Sequence, residues 1–359
     1  MSSQICVVGS LNVDFTVTTH RCPGPGETIT ARSLSVSAGG KGANQAVACG
    51  RALFTSPSLQ TQQNVTISMI GAVGSVDGHY RNLLQPMLEQ SGVDTVDIEE
   101  RLESQTGSAT IIVEDAADGE NRILVVPGAN HEGMSDVQRI ITCIQHRHKQ
   151  RQPNTPNVII LQGEIPRETV LQLLEYFNNQ KERSAHIIFN PAPVFPEGVP
   201  LRALSHTSVL VMNETEATQM ERSIFGESSS VKYLSSEMDE PRLQELAKRF
   251  HDVADVWVVL ITLGAKGVLF STSTGRSGIV KGIAVKSVVD TTAAGDTFVG
   301  YFAVAFTRFL RTSSGKLEDF DMIVEQAVAE ANFAAAVCVQ RQGAAQSIPF
   351  AYEIKNRIE

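Results

Sequence analysis

The chain has 359 residues, of which 42% are hydrophobic and 19% charged, a composition typical of a soluble globular protein. Its formal net charge of -9 at pH 7 would repel a polyphosphate backbone, which argues against nucleic acid as a partner. The first residues lack a basic segment followed by an apolar one, and no later window reaches about 18 apolar residues, so the sequence predicts neither a signal peptide nor a membrane span. We therefore expect a cytoplasmic protein, with nuclear entry left open, that contacts no membrane and binds a small ligand.

The first half of the chain predicts strands on either side of a glycine-rich turn and a helix. An opening core strand and a second extended stretch are indicated by QICVVGSLNVDFTVTT, a β-branched run interrupted at Gly9 and Asn12. A third strand is indicated by the alternating ARSLSVSAGG, and a helix by the Ala-rich GKGANQAVACGRAL. Beyond them we predict a strand in NVTISMIGAVG, an amphipathic helix in YRNLLQPMLEQSG, and a hairpin formed by TGSATIIVED and NRILVVPGAN.

The second half alternates short apolar runs with helical patterns. Apolar strands are predicted in NVIILQGEIP, AHIIFNPAP, TSVLVMNETEA and VWVVLITLG. Because this alternation is typical of parallel βαβ units, we predict an α/β fold with a doubly wound, mainly parallel sheet flanked by helices. The early alternating strands are expected to form a small separate sheet within a single domain, residues 1–359. Polar stretches at 55–64, 146–157 and 223–241 are predicted to be surface loops.

Several site types are excluded by the motifs that the sequence lacks. The five cysteines are widely spaced without a CxxC pair, and no HExxH occurs, so neither a disulfide framework nor a zinc site is predicted. The absence of GxxxxGK[ST] excludes a P-loop enzyme, and the absence of GxSxG removes the signature of a serine hydrolase.

The most informative segment is VVDTTAAGDTFVGYFAVAF, residues 288–306. A strand is expected to lead into Ala293, Ala294, Gly295 and Asp296, after which an apolar pattern starts a helix. Small residues let backbone N–H groups approach a ligand, and a helix N-terminus attracts negative charge, so this turn could hold a phosphoryl group. Asp296 would then accept a proton from an attacking hydroxyl. The residues alone fit a helix N-cap at Asp296 equally well.

This turn resembles the signature DTxxAGDxF of the ribokinase-like (PfkB) carbohydrate kinase family. A second family signature resembles AGGKGANQAVACGRAL at 38–53, and the two occur in the family's order and spacing. The resemblance extends from Ile5 to the end, and GGKGANQA, NVD and RQGAAQSIP are most similar to the ribokinase branch. It implies transfer of the γ-phosphoryl group of ATP to the 5-hydroxyl of D-ribose, giving D-ribose 5-phosphate and ADP. Alternatives are a kinase for another small sugar or a nucleoside, and a catalytically silent sugar-binding regulator.

The resemblance implies that the sugar is bound by Asn12, Asp14, Gly40, Lys41, Asn44, Glu164 and Asp296. Carboxylate, amide and ammonium groups supply the mixed donors and acceptors that a polyol requires, and glycines allow close approach. From the residues alone, Asn12 and Asp14 could instead be turn residues, and Glu164 an ordinary acidic residue at a strand end.

For the nucleotide, the resemblance implies contacts from Asn213, Glu216, Thr262, Gly264, Gly267, Gly295 and Asn332. The string MNETE resembles the family's NxxE motif, which places Asn213 near the phosphates and Glu216 in the water network of Mg²⁺. The same string also fits a helix capping pattern. The resemblance further implies K⁺ as a monovalent activator, with matching positions at Asp290, Thr292, Cys338, Arg341, Gly343 and Ser347, several acting through backbone carbonyls.

The implied reaction is an in-line transfer in which Asp296 deprotonates the ribose hydroxyl while Mg²⁺ and the N–H groups of residues 293–296 neutralise the γ-phosphate. The small sheet, formed by segments near 15–38 and 106–127, is expected to act as a lid that excludes water. Because exposed sheets often pair with another copy, a homodimer through the lid sheet is also expected.

Overall fold

The computed structural model describes residues 3–57, 59–60, 65–114, 120–151, 158–180, 183, 185–226, 239–312 and 316–355. Its strands are β1 (Ser3–Val8), β2 (Asn12–Thr19), β3 (Ser33–Gly39), β4 (Phe54–Ser56), β5 (Leu59–Gln60), β6 (Val65–Gly74), β7 (Val93–Arg101), β8 (Gly107–Glu114), β9 (Glu120–Val126), β10 (Val158–Leu161), β11 (His186–Phe189), β12 (Val209–Asn213), β13 (Val258–Thr262), β14 (Gly267–Thr272) and β15 (Ser277–Lys281).

Its helices are α1 (Lys41–Arg51), α2 (Gln85–Gln90), α3 (Ala129–Glu132), α4 (Val137–Arg151), α5 (Arg167–Asn178), α6 (Leu201–Leu204), α7 (Glu214–Phe225), α8 (Glu240–Ala254), α9 (Ala294–Thr312), α10 (Leu317–Phe320), α11 (Val324–Cys338) and α12 (Ala351–Lys355). A π-helical turn at Tyr80–Leu84 precedes α2, and 3₁₀ turns lie at Gly264–Lys266 and Ala345–Ser347. Within the described ranges, no helix is both long enough and apolar enough to cross a bilayer.

The large sheet has the order β15-β14-β13-β12-β11-β10-β1-β6-β7. Its strands are parallel from β7 to β13, and β14 and β15 add an antiparallel edge. Both faces are covered: along β1, Ile5 and Val7 pack into one hydrophobic cluster while Cys6 and Val8 pack into the other. Inner strands such as β10 are therefore apolar on both faces, as expected of a doubly wound sheet, and the predicted fold is confirmed.

The small sheet has the order β3-β2-β8-β9, with β2 and β8 parallel and the two outer pairs antiparallel. It contains the segments near 15–38 and 106–127 that were expected to form a separate sheet. β2 continues from β1 after a short bend at residues 9–11, so the small sheet is attached directly at the centre of the large one.

Several local predictions were wrong. No strand leads into the turn at Ala293: residues 282–293 contain neither helix nor strand, and Val288 and Val289 are exposed. The sheet already ends at β15, so this β-branched run has no neighbouring strand and is held through backbone bonds from Val289 and Asp290 to the carbonyl of Val339.

Parts of the predicted loops belong to helices or strands. β4 and β5 form a small hairpin inside the stretch 55–64, α4 continues to Arg151, and α7 and α8 extend into the stretch 223–241. Residues 58, 61–64, 152–157 and 227–238 of these predicted loops lie outside the described residues, as do residues 115–119 of the predicted hairpin turn. β7, β14 and β15 were not predicted.

Candidate active site

A cavity of about 400 Å³ opens at the carboxyl ends of the parallel strands. It lies beside the end of β1, where β6 continues the sheet on one side and β10 on the other. Such a reversal of strand order leaves a crevice in which doubly wound proteins bind ligands. Glu164, Asn190 and Asn213 reach the cavity from the ends of β10, β11 and β12, and the small sheet forms the opposite wall.

Most of the predicted sugar and phosphate residues lie together in this cavity. Its lining includes Asn12, Asp14, Gly40, Lys41, Asn44, Glu164, Asn213, Glu216, Thr262, Thr292, Ala293, Gly295 and Asp296. The other predicted residues lie outside its lining, namely Ala294, Gly264, Gly267, Asn332, Asp290, Cys338, Arg341, Gly343 and Ser347.

Asp296 lies in the first turn of α9 and is 6% exposed. Its Oδ2 accepts a hydrogen bond from Nδ2 of Asn44 at 3.0 Å, and its Oδ1 accepts one from Nε2 of Gln45 at 2.9 Å. The helix begins at Ala294, so Asp296 is inside it, and the N-cap interpretation is wrong. The carboxylate instead lies between two amides of another helix.

Close packing of α1 against α9 makes this contact geometry possible. A Cβ built on Gly300 would lie 2.4 Å from Cβ of Ala48 and 2.7 Å from the backbone nitrogen of Cys49, closer than a side chain allows. The glycine therefore lets the two helices approach each other one turn beyond Asp296, which holds the carboxylate against the amides of Asn44 and Gln45.

Glu164 stabilises the start of α1. Its Oε2 accepts hydrogen bonds from the backbone N–H of Lys41 at 2.8 Å and from the hydroxyl of Ser10 at 2.5 Å. The N-cap residue Gly40 has a φ of 88° and no side chain to cap the helix. Glu164 therefore supplies the negative charge that a helix N-terminus favours, while its carboxylate also lines the cavity.

The charges of the cavity are unbalanced. Among the described residues of its lining, Lys41 is the cation that faces Asp14, Glu164, Glu216 and Asp296. Burial would lower the pKa of Lys41, but Asp296, Glu164 and Glu216 together raise it, so the ammonium stays charged. Burial, assisted by Glu164 and Asp296, raises the pKa of Asp14 from 3.8 to about 7.

Asp14 is held beside a glycine that cannot be replaced without conflict. A Cβ on Gly39 would lie 2.1 Å from Oδ2 of Asp14, so a larger residue would displace this carboxylate from its position. The two residues lie on the adjacent strands β3 and β2 of the small sheet.

Asn213 and Glu216 form a capping box at the start of α7. The Asn213 side chain accepts from the N–H of Glu216, and the Glu216 carboxylate accepts from the N–H of Asn213, each at 2.8 Å. The capping interpretation is thus confirmed, and both residues also line the cavity. Burial raises the pKa of Glu216, although the Asn213 N–H and Lys41 oppose the rise.

Asn130 is a site residue that the sequence analysis missed. It is 1% exposed, and its Nδ2 donates to Oδ1 of Asn12 at 2.8 Å while its Oδ1 accepts from the N–H of Leu11 at 2.9 Å. Because the Asn12 oxygen is engaged, its Nδ2 remains the group that can donate to a ligand. In Asn12 the oxygen is the engaged atom, whereas in Asn44 it is the nitrogen, which donates to Asp296. The Oδ1 of Asn44 is buried without a protein partner among the described residues.

The turn before α9 has strained backbone. Ala293 has a φ of 62°, which L-residues other than Asn and Asp rarely adopt. Its carbonyl accepts from both the N–H and the hydroxyl of Thr297, each at 2.8 Å. The N–H of Ala294 donates to the carbonyl of Thr291 at 3.3 Å, so the groups of Gly295 and Asp296 are better placed for an anion. No atom lies within 4 Å of a Cβ built on Gly295.

The positions matched to a monovalent cation also come together behind this turn. Asp290 accepts from the N–H groups of Thr292 and Gly343, each at 2.9 Å. Cys338 lies with its Sγ 3.0 Å from the hydroxyl of Ser347 and 3.7 Å from the carbonyl of Thr292. Hydrogen bonds to Thr292 and Gly343 outweigh the effect of burial and lower the pKa of Asp290.

Arg341 differs from the others because its side chain points away to Glu353, with an N–O distance of 2.8 Å. In the described part of the chain, no cluster of three or more His, Cys, Asp or Glu side chains is arranged to hold a metal ion. Carbonyl and carboxylate oxygens nevertheless suit a hard cation, so the chemistry of the residues around Asp290 fits the predicted K⁺.

The remaining predicted nucleotide residues have structural partners. Asn332 donates through Nδ2 to the carbonyl of Lys281 at 3.0 Å and so joins α11 to β15. A Cβ on Gly267 would lie 2.0 Å from the carbonyl oxygen of Val280, which explains a glycine there by strand packing. Gly264 is the first residue of the 3₁₀ turn after β13, and a Cβ built on it would meet open space.

Comparisons with known proteins agree with this architecture. Residues 2–351 match the pfkB family carbohydrate kinase. The chain is 33% identical over 364 residues to the ribokinase of Schizosaccharomyces pombe, covering 98% of this chain and 96% of that one. The ribokinase structure from Giardia lamblia superposes with a TM-score of 0.80 at 26% identity, covering 100% of this chain and 99% of that chain. The structure of Arabidopsis thaliana ribokinase complexed with ribose and ATP superposes with a TM-score of 0.75 at 26% identity, covering 100% of this chain and 99% of that chain. The chain therefore belongs to the pfkB family of carbohydrate kinases.

Proposed function

We propose that this chain is an ATP-dependent ribokinase, which transfers the γ-phosphoryl group of ATP to the 5-hydroxyl of D-ribose and releases D-ribose 5-phosphate and ADP. The observation that carries the proposal is the position of Asp296, a buried carboxylate in the first turn of α9 that faces a cavity lined by amides and carboxylates. The kinship with curated ribokinases supports ribose as the acceptor.

Asp296 is the proposed base. Each of its oxygens accepts one amide hydrogen bond, so lone pairs remain on the carboxylate for the substrate hydroxyl. Asn12, Asp14, Gly40, Lys41, Asn44 and Glu164 would hold the sugar, with Asn12 donating through its Nδ2. Positioning of the hydroxyl and removal of its proton are then the contributions of these side chains.

The phosphoryl group would meet the positive end of α9. The N–H groups of Gly295 and Asp296, with those of Ala293 and Ala294, would stabilise the charge that develops during transfer. Lys41, which lines the same cavity, adds a cation.

The nucleotide would be held by Asn213, Glu216, Thr262, Gly264, Gly267 and Asn332. Asn213 would lie near the phosphates and Glu216 in the water network of Mg²⁺, which when bound neutralises phosphate charge. K⁺ would be held by Asp290, Thr292, Cys338, Arg341, Gly343 and Ser347, where it would add positive charge next to the phosphoryl-binding turn.

The small sheet is the proposed lid within a single domain, made of segments near 15–38 and 106–127. Ile123 and Val125 line the cavity yet are 56% and 52% exposed. Burying this apolar surface over bound sugar would favour closure and keep water from the phosphoryl group.

The other face of the small sheet supports a homodimer. Leu124 follows Ile123 on β9, and successive side chains of a strand point to opposite faces. Leu124 therefore lies on the outer face, where it is 59% exposed. On the same face, Leu34 is 64% exposed. A second copy would bury these side chains. Cytoplasmic placement, with nuclear entry left open, stays a prediction.

The test is ADP release with ATP and Mg²⁺, comparing ribose, 2-deoxyribose, fructose and adenosine, with and without K⁺. Ribose should be preferred, and Asp296→Asn should lose at least about 1,000-fold in kcat while still binding ribose. Preference for another acceptor would favour a different small-sugar or nucleoside kinase. A folded wild type that phosphorylates none of them would leave the silent sugar-binding regulator.

A further inference from the structure

A chain of buried amides connects Asp296 to the central strands. Nε2 of Gln45 donates both to Oδ1 of Asp296 at 2.9 Å and to Oδ1 of Asn190 at 3.0 Å. Oε1 of Gln45 accepts from Nε2 of Gln162 at 2.8 Å, and Nδ2 of Asn190 donates to the carbonyl of Val211 at 2.9 Å. Gln45 and Gln162 are 0% and 1% exposed, and neither lines the cavity.

The carboxylate determines the orientation of every amide in this chain. An ionised carboxylate only accepts hydrogen bonds, so Gln45 must point its nitrogen at Asp296. Its oxygen then faces Gln162, which must donate, and Asn190 must turn its oxygen to Gln45 and its nitrogen to Val211. Each amide therefore has one orientation that satisfies its neighbours. Together these orientations fix the plane of the Asp296 carboxylate.

The chain of buried amides includes one unsatisfied oxygen, on Gln162, that packing alone does not explain. Oε1 of Gln162 is buried without a partner among the described residues, and a Cβ on Gly9 would lie 2.0 Å from it. A buried unsatisfied acceptor is destabilising, and an apolar side chain at this position would avoid it. What Gln162 provides is the single donor to Gln45.

We propose that Gln45, backed by Gln162 and Asn190, is a positioning residue that orients the carboxylate of Asp296 for proton transfer. The proposal rests on the proposed role of Asp296 as the base. Asn44, the other amide on this carboxylate, itself lines the cavity, so its loss would affect binding as well. Gln45 does not line the cavity and acts through Asp296 and Asn190, neither of which its substitution removes, so its loss should affect turnover and leave binding nearly unchanged.

Gln162→Met separates positioning from stability. Met has nearly the shape of Gln but cannot donate, so Gln45 would lose its donor. The variant exchanges the unsatisfied Oε1 of Gln162 for an unsatisfied Oε1 of Gln45, and the melting temperature should stay within about 2 °C of wild type. Turnover should nevertheless fall, because the donor that fixes the other end of the Gln45 amide is lost and its bond to Asp296 becomes less precisely oriented.

The experiment measures kcat and KM for ribose and ATP, with melting temperatures, in Gln45→Met, Gln162→Met, the double variant and Asp296→Asn. We expect kcat to fall roughly 10- to 100-fold in Gln45→Met and about 3- to 10-fold in Gln162→Met, with both KM values within about 3-fold. The double variant should match Gln45→Met, because Gln162 acts through Gln45. The control is Gln172→Met on α5, whose amide bonds to Glu168 on the surface and should leave kcat unchanged.

The outcomes distinguish this inference from the proposed function. Wild-type kcat in Gln45→Met, with Asp296→Asn inactive, overturns the positioning role and leaves the base in place. Full turnover in Asp296→Asn overturns both. If Gln45→Met does not fold, Gln162→Met decides: an unchanged kcat, or a loss that only mirrors a fall in folded protein, refutes the proposal.

Discussion

Asp14→Asn should stabilise the free protein at alkaline pH while impairing its use of ribose. Asp14 is 7% exposed and lies near the carboxylates of Glu164 and Asp296. These surroundings penalise its negative charge and raise its pKa from 3.8 to about 7. An amide of the same shape carries no charge at any pH, so it fits beside Gly39 without that penalty.

The sign and size follow from linkage between protonation and folding. Between pH 4 and pH 7 the folded chain keeps the Asp14 proton that the unfolded chain has released, so the free energy of unfolding falls as pH rises. A pKa that moves from 3.8 to about 7 corresponds to at most about 4 kcal/mol, fully expressed above pH 7. For a chain of this size we expect Asp14→Asn to melt roughly 4–8 °C above wild type at pH 8, and at the wild-type temperature near pH 4.

Thermal unfolding without ligand at several pH values between 4 and 8 measures this effect, with Asp252→Asn on the exposed side of α8 as the control. The same variant should raise KM for ribose at least about 10-fold, because charge-assisted hydrogen bonds to the sugar are lost. The reasoning is refuted if Asp14→Asn melts at or below the wild-type temperature at pH 8, or if its difference from wild type does not change with pH.

The remaining predictions concern the glycine beside Asp14, the strained turn and the outer face of the small sheet. Gly39→Ala should raise KM for ribose at least about 10-fold in steady-state assays, since its Cβ would displace Asp14. The control Gly24→Ala, whose Cβ would lie 3.7 Å from Glu27, should behave as wild type. Ala293→Gly should raise the free energy of unfolding by up to about 1 kcal/mol in denaturant titrations, because the left-handed φ of 62° no longer strains a side chain; destabilisation would contradict this account. Leu34→Lys with Leu124→Lys should convert a dimer to a monomer by light scattering, and an unchanged mass would place the interface elsewhere.

The sequence by itself determined the family, the fold class and most of the residues around the cavity. It could do so because the residues that build the turn before α9 and the start of α1 are consecutive along the chain, and because apolar runs alternating with helices dictate a doubly wound sheet. The prediction of a pfkB-family kinase is confirmed by the match over residues 2–351. The individual roles of the site residues stay predictions.

Only the tertiary structure decided which groups act on one another. Asp296 and Gln45 are 251 residues apart, and Asn12 and Asn130 are 118 apart, so no local pattern could pair them. The same holds for the raised pKa of Asp14, which arises from burial and from the carboxylates of Glu164 and Asp296, both distant in the sequence. Local patterns also failed at Val288 and Val289, where a β-branched run predicts a strand but the backbone of Val289 bonds to the carbonyl of Val339 instead of to a sheet strand. Residue type and spacing decide which chemistry is possible, whereas the orientation and charge of each group depend on neighbours that only folding brings together.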